Sequence, residues 1–399
     1  MKNIILDLFT FIGGLAAIWF FWEKCDENSY CFPLALTLVV LAIVMWGWYR
    51  WQKKAIKPQG TDESEGPLAW DSLYYVERSP VESKAYEIVT KPGALIRIKA
   101  PRQMGKTSLM MRMLDHAKKQ GHPTVYLSLD QVDHAALANL EEFLRWFCTR
   151  ITKKLNWPAD KVTHHWSKLQ SGMSNCSDYF ENVLLAEMSH PLVLALDKVD
   201  WIFEHENIAT DFFKLVRSWH EQSKHQEVWQ KMVLVLVHTE NVPLSFYYSS
   251  PFYNVGTSIE LPVFNATQVQ DLVQRYKLNW KMPEIEPLMA MLGGHPHLVH
   301  LALYEIAHKR ITLAQVLENA PTEKGIFGSH LQRLLMDLQT DKEVDLVTTM
   351  RQVVSTNVPI EIDSRASLKL CSRGLINKAP NNTVEPLCGL YLQYFQNRL

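Results

Sequence analysis

The 399-residue sequence lacks an excess of either charge: 41 basic and 42 acidic residues leave a formal net charge of -1. No global field therefore gathers nucleic acid or an anionic surface, and any such contact must be local. Cysteine is also scarce. Of the six in the chain, Cys148, Cys176, Cys371 and Cys388 have neither the paired spacing of a zinc site nor that of a disulfide framework, and they read as reduced packing thiols. Internal repeats and low-complexity blocks are missing too. A chain of this length can hold two or three compact units, each with its own core.

Charge is almost absent from two early stretches. Residues 4–22 (IILDLFTFIGGLAAIWFFW) carry only Asp7, and residues 32–49 (FPLALTLVVLAIVMWGWY) carry none. Each matches the roughly 20 residues that a helix needs to cross a ~30 Å hydrocarbon core. Trp19, Trp22, Trp46, Trp48 and Tyr49 crowd their ends, where amphipathic rings prefer the interface. Glu23, Lys24, Cys25 and Asp26 supply no small-residue cleavage site, which argues against a signal peptide. Arg50, Lys53, Lys54 and Lys57 follow the second run, whereas residues 23–29 are net acidic. The expectation is a two-pass hairpin over residues 1–51 in the inner (cytoplasmic) membrane, with both termini and the bulk of the chain cytoplasmic. Cys25 and Cys31 lie between the two runs, where an oxidising compartment would let them pair.

Residues 52–69 read as a polar linker bracketed by Pro58 and Pro67. From residue 70 short apolar runs alternate with longer helical ones, which predicts a parallel sheet flanked by helices. Strands are expected over 94–99, 123–129, 191–196, 231–237 and 256–261, with helices at 107–119, 138–154 and 208–222. Strands give out after Pro262. Asn265 with Gln268 three residues on is a capping-box variant for a helix over 266–276. The predicted organisation is an α/β nucleotide-binding core over 70–262, a helical lid over 263–322 and a winged-helix-like region over 323–399.

The chemical signal lies in Lys99-Ala100-Pro101-Arg102-Gln103-Met104-Gly105-Lys106-Thr107-Ser108, between a predicted strand and a helix. A phosphate chain needs inward-turned backbone N–H groups at a helix N-terminus, a glycine where a side chain would block approach, a lysine for β/γ charge and a hydroxyl for magnesium. Gly105, Lys106 and Thr107 supply the last three, while Ala100 stands where the motif expects its first glycine. Ala100, Arg102, Gln103, Met104, Gly105, Lys106, Thr107 and Ser108 are thus the expected ATP contacts. The apolar run Leu192–Leu196 ends in Asp197, the acid that would hold Mg²⁺ together with Thr107. The next residue is Lys198, where many ATPases carry a water-activating glutamate. Asp200 and Glu240 are the nearest substitutes, so Asp197, Asp200 and Glu240 form the catalytic set.

Tyr75 to Glu82 (YVERSPVE), IKAPRQMGKTSLM, LVLALDKVD, LVLVHTE, SPFYNVG and GGHPHLVHLALY resemble the AAA-like domain family common in bacteria, especially cyanobacteria, which is related to STAND and archaeal-type ATPases. The similarity covers residues 70–399. It implies that Arg78 lines the adenine pocket, that Thr239 beside His238 senses the γ-phosphate, and that His295 and Pro296 belong to a lid element touching nucleotide.

The resulting expectation is a membrane-tethered, ATP-dependent switch with slow hydrolysis that self-associates on nucleotide binding, its output being signalling or defence. A DNA-binding regulator would instead use Arg365, Lys369 and Arg373, a modest basic set for phosphate contacts. A third alternative keeps the fold as a nucleotide-free scaffold.

Overall fold

The structure is a computed structural model that describes residues 66–239, 255–356 and 358–399. Both apolar runs, Cys25 and Cys31, the linker through residue 65, and Glu240 lie outside the described residues. Among the described residues no helix is long and apolar enough to cross a membrane.

Five strands appear where alternating apolar runs place them: β1 (Leu95–Lys99), β2 (Thr124–Ser128), β3 (Leu192–Asp197), β4 (Met232–His238) and β5 (Thr257–Glu260). They form one sheet in the order β2-β3-β4-β1-β5, with every pairing parallel. The strands β3 and β4 are buried along their whole length. Their near-continuous apolarity follows from cover on both faces. Leu192, Leu194 and Leu196 enter a cluster with Phe143, Phe147, Phe212 and Trp219. Val193 and Ala195 point the other way, into a cluster with Ala85, Met110 and Met113. This is the period-2 alternation of a strand read out on two cores.

The first cluster is supplied by helices α3 (Leu140–Lys154), α4 (Gly172–Tyr179) and α5 (Glu206–Gln222), and the second by α1 (Val81–Ile88) and α2 (Lys106–Lys119). Rings dominate on the α3–α5 side. Phe212 meets Phe143 edge-on at 5.2 Å between centroids, and Trp219 stacks on Phe180 at 4.7 Å.

After β5 come α6 (Ala266–Arg275), α7 (Met282–Leu292), α8 (Pro296–Ala307), α9 (Leu313–Asn319), α10 (Gly328–Gln339), α11 (Leu346–Val354), α12 (Ser364–Ser372) and α13 (Gly389–Arg398). The Asn265–Gln268 capping box that opens α6 is present in both directions. Strands β6 (Ile360–Glu361), β7 (Ile376–Lys378) and β8 (Thr383–Pro386) form an antiparallel sheet in the order β6-β8-β7. Residues from α6 through α13 share a single apolar cluster, from Phe264 to Phe395.

Helix α11 begins at Leu346. Asp345 caps it by accepting from Thr348 N–H. The preceding loop is held by Asp341, which accepts from the backbone N–H groups of Glu343 and Val344.

Candidate nucleotide site at the sheet edge

The C-terminal ends of the strands converge on one edge, where open parallel sheets place their ligand sites. In register, Lys99 of β1 lies opposite His238 of β4, and Ser128 of β2 opposite Asp197 of β3. The strand β4 stands between the loop-bearing β1 and the acidic β3, so the phosphate loop and Asp197 face one another across it.

Between β1 and α2 the backbone makes two left-handed turns, at Gln103 (φ 62) and Gly105 (φ 89). Gly105 is the N-cap of α2 and provides no side-chain hydrogen bond. The first-turn N–H groups therefore keep their capacity for an outside acceptor, the requirement of an anion site at a helix N-terminus. A Cβ at residue 105 would come within 3.5 Å of the Arg78 guanidinium. That distance is an ordinary contact, so it is the left-handed turn that calls for glycine here.

Lys106 Nζ donates to the carbonyl oxygens of Ala100 (2.8 Å) and Pro101 (2.7 Å), lying folded across its own loop. Thr107 Oγ1 donates to Asp197 Oδ2 at 2.9 Å, and Asp197 Oδ1 accepts from Lys198 N–H at 2.9 Å. Asp197 is buried, and burial raises its pKa against the opposing bonds from Thr107 and Lys198. A hydroxyl and a carboxylate in contact are the hard oxygen donors that magnesium selects. The loop, the lysine and this oxygen pair fit a Mg²⁺-bound triphosphate.

The other expected residues are distributed as follows. Arg78 is 2 % exposed, paired with Glu82 at 3.3 Å, and donates to the Met104 carbonyl at 2.8 Å, bracing the phosphate loop from beneath. The Met104 side chain is buried in the core. Ser108 Oγ accepts from Leu68 N–H. Asp200 Oδ1 accepts from Thr239 N–H at 2.9 Å, fastening the end of β4 to the segment after β3. His238 is buried, with its pKa lowered to about 4 by desolvation, and its Nδ1 lies 2.6 Å from the Thr239 carbonyl.

Sequence reasoning missed the contacts that reach the loop from the helical half. Gln103 Oε1 lies 2.8 Å from His330 Nδ1, and His330 Nε2 lies 2.8 Å from the Tyr391 hydroxyl. With Nδ1–H donating to the amide oxygen, Nε2 accepts from the tyrosine, the pattern of a neutral ring. Burial lowers the pKa of His330 to about 3, in keeping with that state. Arg102 pairs with Asp337 of α10 at 3.6 Å. A Cβ on Gly374, at the end of α12, would come within 2.9 Å of Pro101.

His295 is the N-cap of α8 and Pro296 its first residue. The His295 ring is buried and stands edge-on to His330 at 5.6 Å between centroids. His300 turns away to the Tyr276 hydroxyl. Among the described residues no cluster of histidine, cysteine or acid has the arrangement of a metal site.

A parallel sheet in this order, with a phosphate loop after β1 and an acid at the end of a strand separated from it by one neighbour, defines a P-loop NTPase fold. The chain belongs to the AAA-like domain family, whose model matches residues 63–397. No curated protein matches the sequence. Among solved structures it is similar to a Walker-type ATPase of Pyrococcus abyssi, with 13 % identity, a TM-score of 0.59, and coverage of 84 % of this chain and 99 % of that one. The Aeropyrum pernix ORC2 protein, solved in ADPNP–ADP complexes, aligns with 14 % identity and a TM-score of 0.47 over 82 % of this chain and 97 % of its own. For DnaA of Aquifex aeolicus, solved bound to AMPPCP, the values are 14 %, 0.37, 67 % and 70 %.

Proposed function

We propose that the chain binds Mg-ATP at Gly105–Ser108 and uses nucleotide occupancy to set the position of its helical half. The observation that carries this reading is the contact between Thr107 and Asp197 beside an uncapped, glycine-led helix N-terminus. Lys106 would leave the Ala100 and Pro101 carbonyls for the β/γ phosphates, and Thr107 and Asp197 would hold the metal. The contacts from His330, Asp337 and Gly374 to the same loop supply a route by which that rearrangement reaches residues 263–399.

The remainder of the proposal concerns context. Residues 4–22 and 32–49 would tether the protein to the inner membrane with the nucleotide unit in the cytoplasm, and the output would be signalling or defence through nucleotide-dependent self-association. Carbonate extraction and protease protection test the tether. The DNA-binding alternative is weakened by the fate of its basic residues. Lys369 and Arg373 both pair with the buried Asp341, at 2.8 and 2.7 Å, which leaves Arg365 as the exposed member of the set.

Calorimetric titration of the full chain with ATPγS and Mg²⁺ tests the binding reading. The wild type is expected to bind, and Lys106→Ala to lose about tenfold or more in affinity, since a charge-assisted phosphate contact is worth roughly 1.5–3 kcal/mol. Indistinguishable titrations of the two forms would sink it.

A further inference from the structure

The residue after Asp197 is a lysine where a water-activating acid is expected, and the structure shows where that lysine goes. Lys198 adopts a left-handed backbone (φ 54, ψ 44), a conformation that is unfavourable for a non-glycine residue and persists only where its surroundings enforce it. Its ammonium contacts Asp130 Oδ2. Asp130 lies in the short 3₁₀ turn Leu129–Gln131 that follows β2. Since Ser128 of β2 is in register with Asp197 of β3, that turn carries Asp130 over the same sheet edge as the magnesium acid, one strand across. Ser128 Oγ donates to the other carboxylate oxygen, Oδ1, at 2.6 Å. Both oxygens are therefore oriented. Burial alone would raise the Asp130 pKa, but the bonds from Lys198 and Ser128 outweigh it and hold the group ionised.

Among the described residues, Asp200 and Asp197 at this edge have partners of their own. Asp200 Oδ1 accepts from Thr239 N–H, and the two Asp197 oxygens accept from the Thr107 hydroxyl and from Lys198 N–H.

We propose that Asp130, supplied by β2, is the catalytic carboxylate of this ATPase, and that Lys198 is its restraint. The inference rests on the Mg-ATP reading above. In the step assigned to it, a water oxygen bonds to the γ-phosphorus while the bond from that phosphorus to the β–γ bridging oxygen breaks. ADP departs with the bridging oxygen, and the proton of the water passes to Asp130 and then to solvent. While Lys198 grips Asp130 the carboxylate is ordered yet occupied, so turnover is slow. Release of the pair frees it to orient the water.

The test uses the full chain as wild type, Asp130→Asn, Lys198→Met and the double variant. Three quantities are followed: ATPγS affinity, phosphate release, and the affinity gained when ADP is supplemented with aluminium fluoride, a mimic of the transferring phosphoryl group. Asp130→Asn is expected to keep ATPγS affinity within about threefold, to lose about 10²-fold or more of phosphate release, and to lose the gain from aluminium fluoride. Lys198→Met is expected to raise phosphate release about tenfold, and the double variant to fall back to the Asp130→Asn level. Because the Lys198 side chain is half-exposed, that variant retains its fold and carries the test even if Asp130→Asn does not.

Wild-type phosphate release by Asp130→Asn, or a Lys198→Met gain that survives in the double variant, overturns the assignment. So does ATPγS binding without phosphate release by both wild type and Lys198→Met. Failure of the wild type to bind ATPγS instead defeats the nucleotide reading, an outcome separate from these.

Discussion

The sheet core and the seam around the phosphate loop are built on opposite terms. In the core, β3 and β4 are buried on both faces, and large rings from α3 to α5 fill one side. The seam joins the loop to the helical half through a glutamine–histidine–tyrosine chain, one largely exposed ion pair and a proline against a glycine. Apolar burial is non-directional and summed over many atoms, so the core has one arrangement. A few directional polar contacts are worth about 1 kcal/mol each, an amount that a bound triphosphate can outbid. The difference teaches where the molecule can move without unfolding.

The largest expected effect is that of acid. Burial holds His300 and His238 at about 4 and His330 at about 3, and lowers His295 as well. Each ring is neutral in the fold, while the unfolded chain takes up its proton near 6.5. Stability is thus complete above that value and falls as pH drops below it, by up to about 1.4 kcal/mol per unit for each ring. His295, His300 and His330 belong to the helical half, so circular dichroism and hydrogen exchange between pH 6.5 and 4.5 should show α8 and α10 loosening before β3 and β4. Simultaneous loss of both would break the contrast.

Phe212→Ala should cost about 3–5 kcal/mol in a denaturant titration, because the cavity opens among rings packed edge-on around it that cannot collapse. His330→Phe should cost about 1–3 kcal/mol by leaving Gln103 and Tyr391 without their partner. Its exchange signature should be faster amides in residues 100–105 with β3 and β4 unchanged. Arg102→Ala is the smallest, below about 1 kcal/mol, since the pair with Asp337 is largely exposed.

The strands were legible in the sequence because their apolar runs are bounded by turn residues. Gly105, Lys106 and Thr107 were legible because their chemistry is local to one strand–loop–helix unit. The capping box at Asn265 and Gln268 was readable for the same reason, its partners standing three residues apart. What stayed hidden joins distant positions. Gln103 and His330 are 227 residues apart, and Asp130 and Lys198 are 68 apart. Neither pair has a spacing pattern, and only the register of the sheet and the packing of α10 bring them together. Lys369 and Arg373 illustrate the converse: as text they suggest a basic surface, whereas Asp341 draws both inward.

The strand order also bears on how the molecule comes to exist during synthesis. The neighbours of β1 are β4 and β5, with Leu95 pairing to Leu234 and Ile96 to Thr257. A nascent chain that has emerged only through α2 therefore presents Leu95, Ile96 and Ile98 with both hydrogen-bonding edges open. Pairings this remote in sequence form late and leave apolar edges exposed to aggregation until they do. The strand that carries the phosphate loop is thus encoded early but gains its sheet partners only once β4 and β5 have emerged.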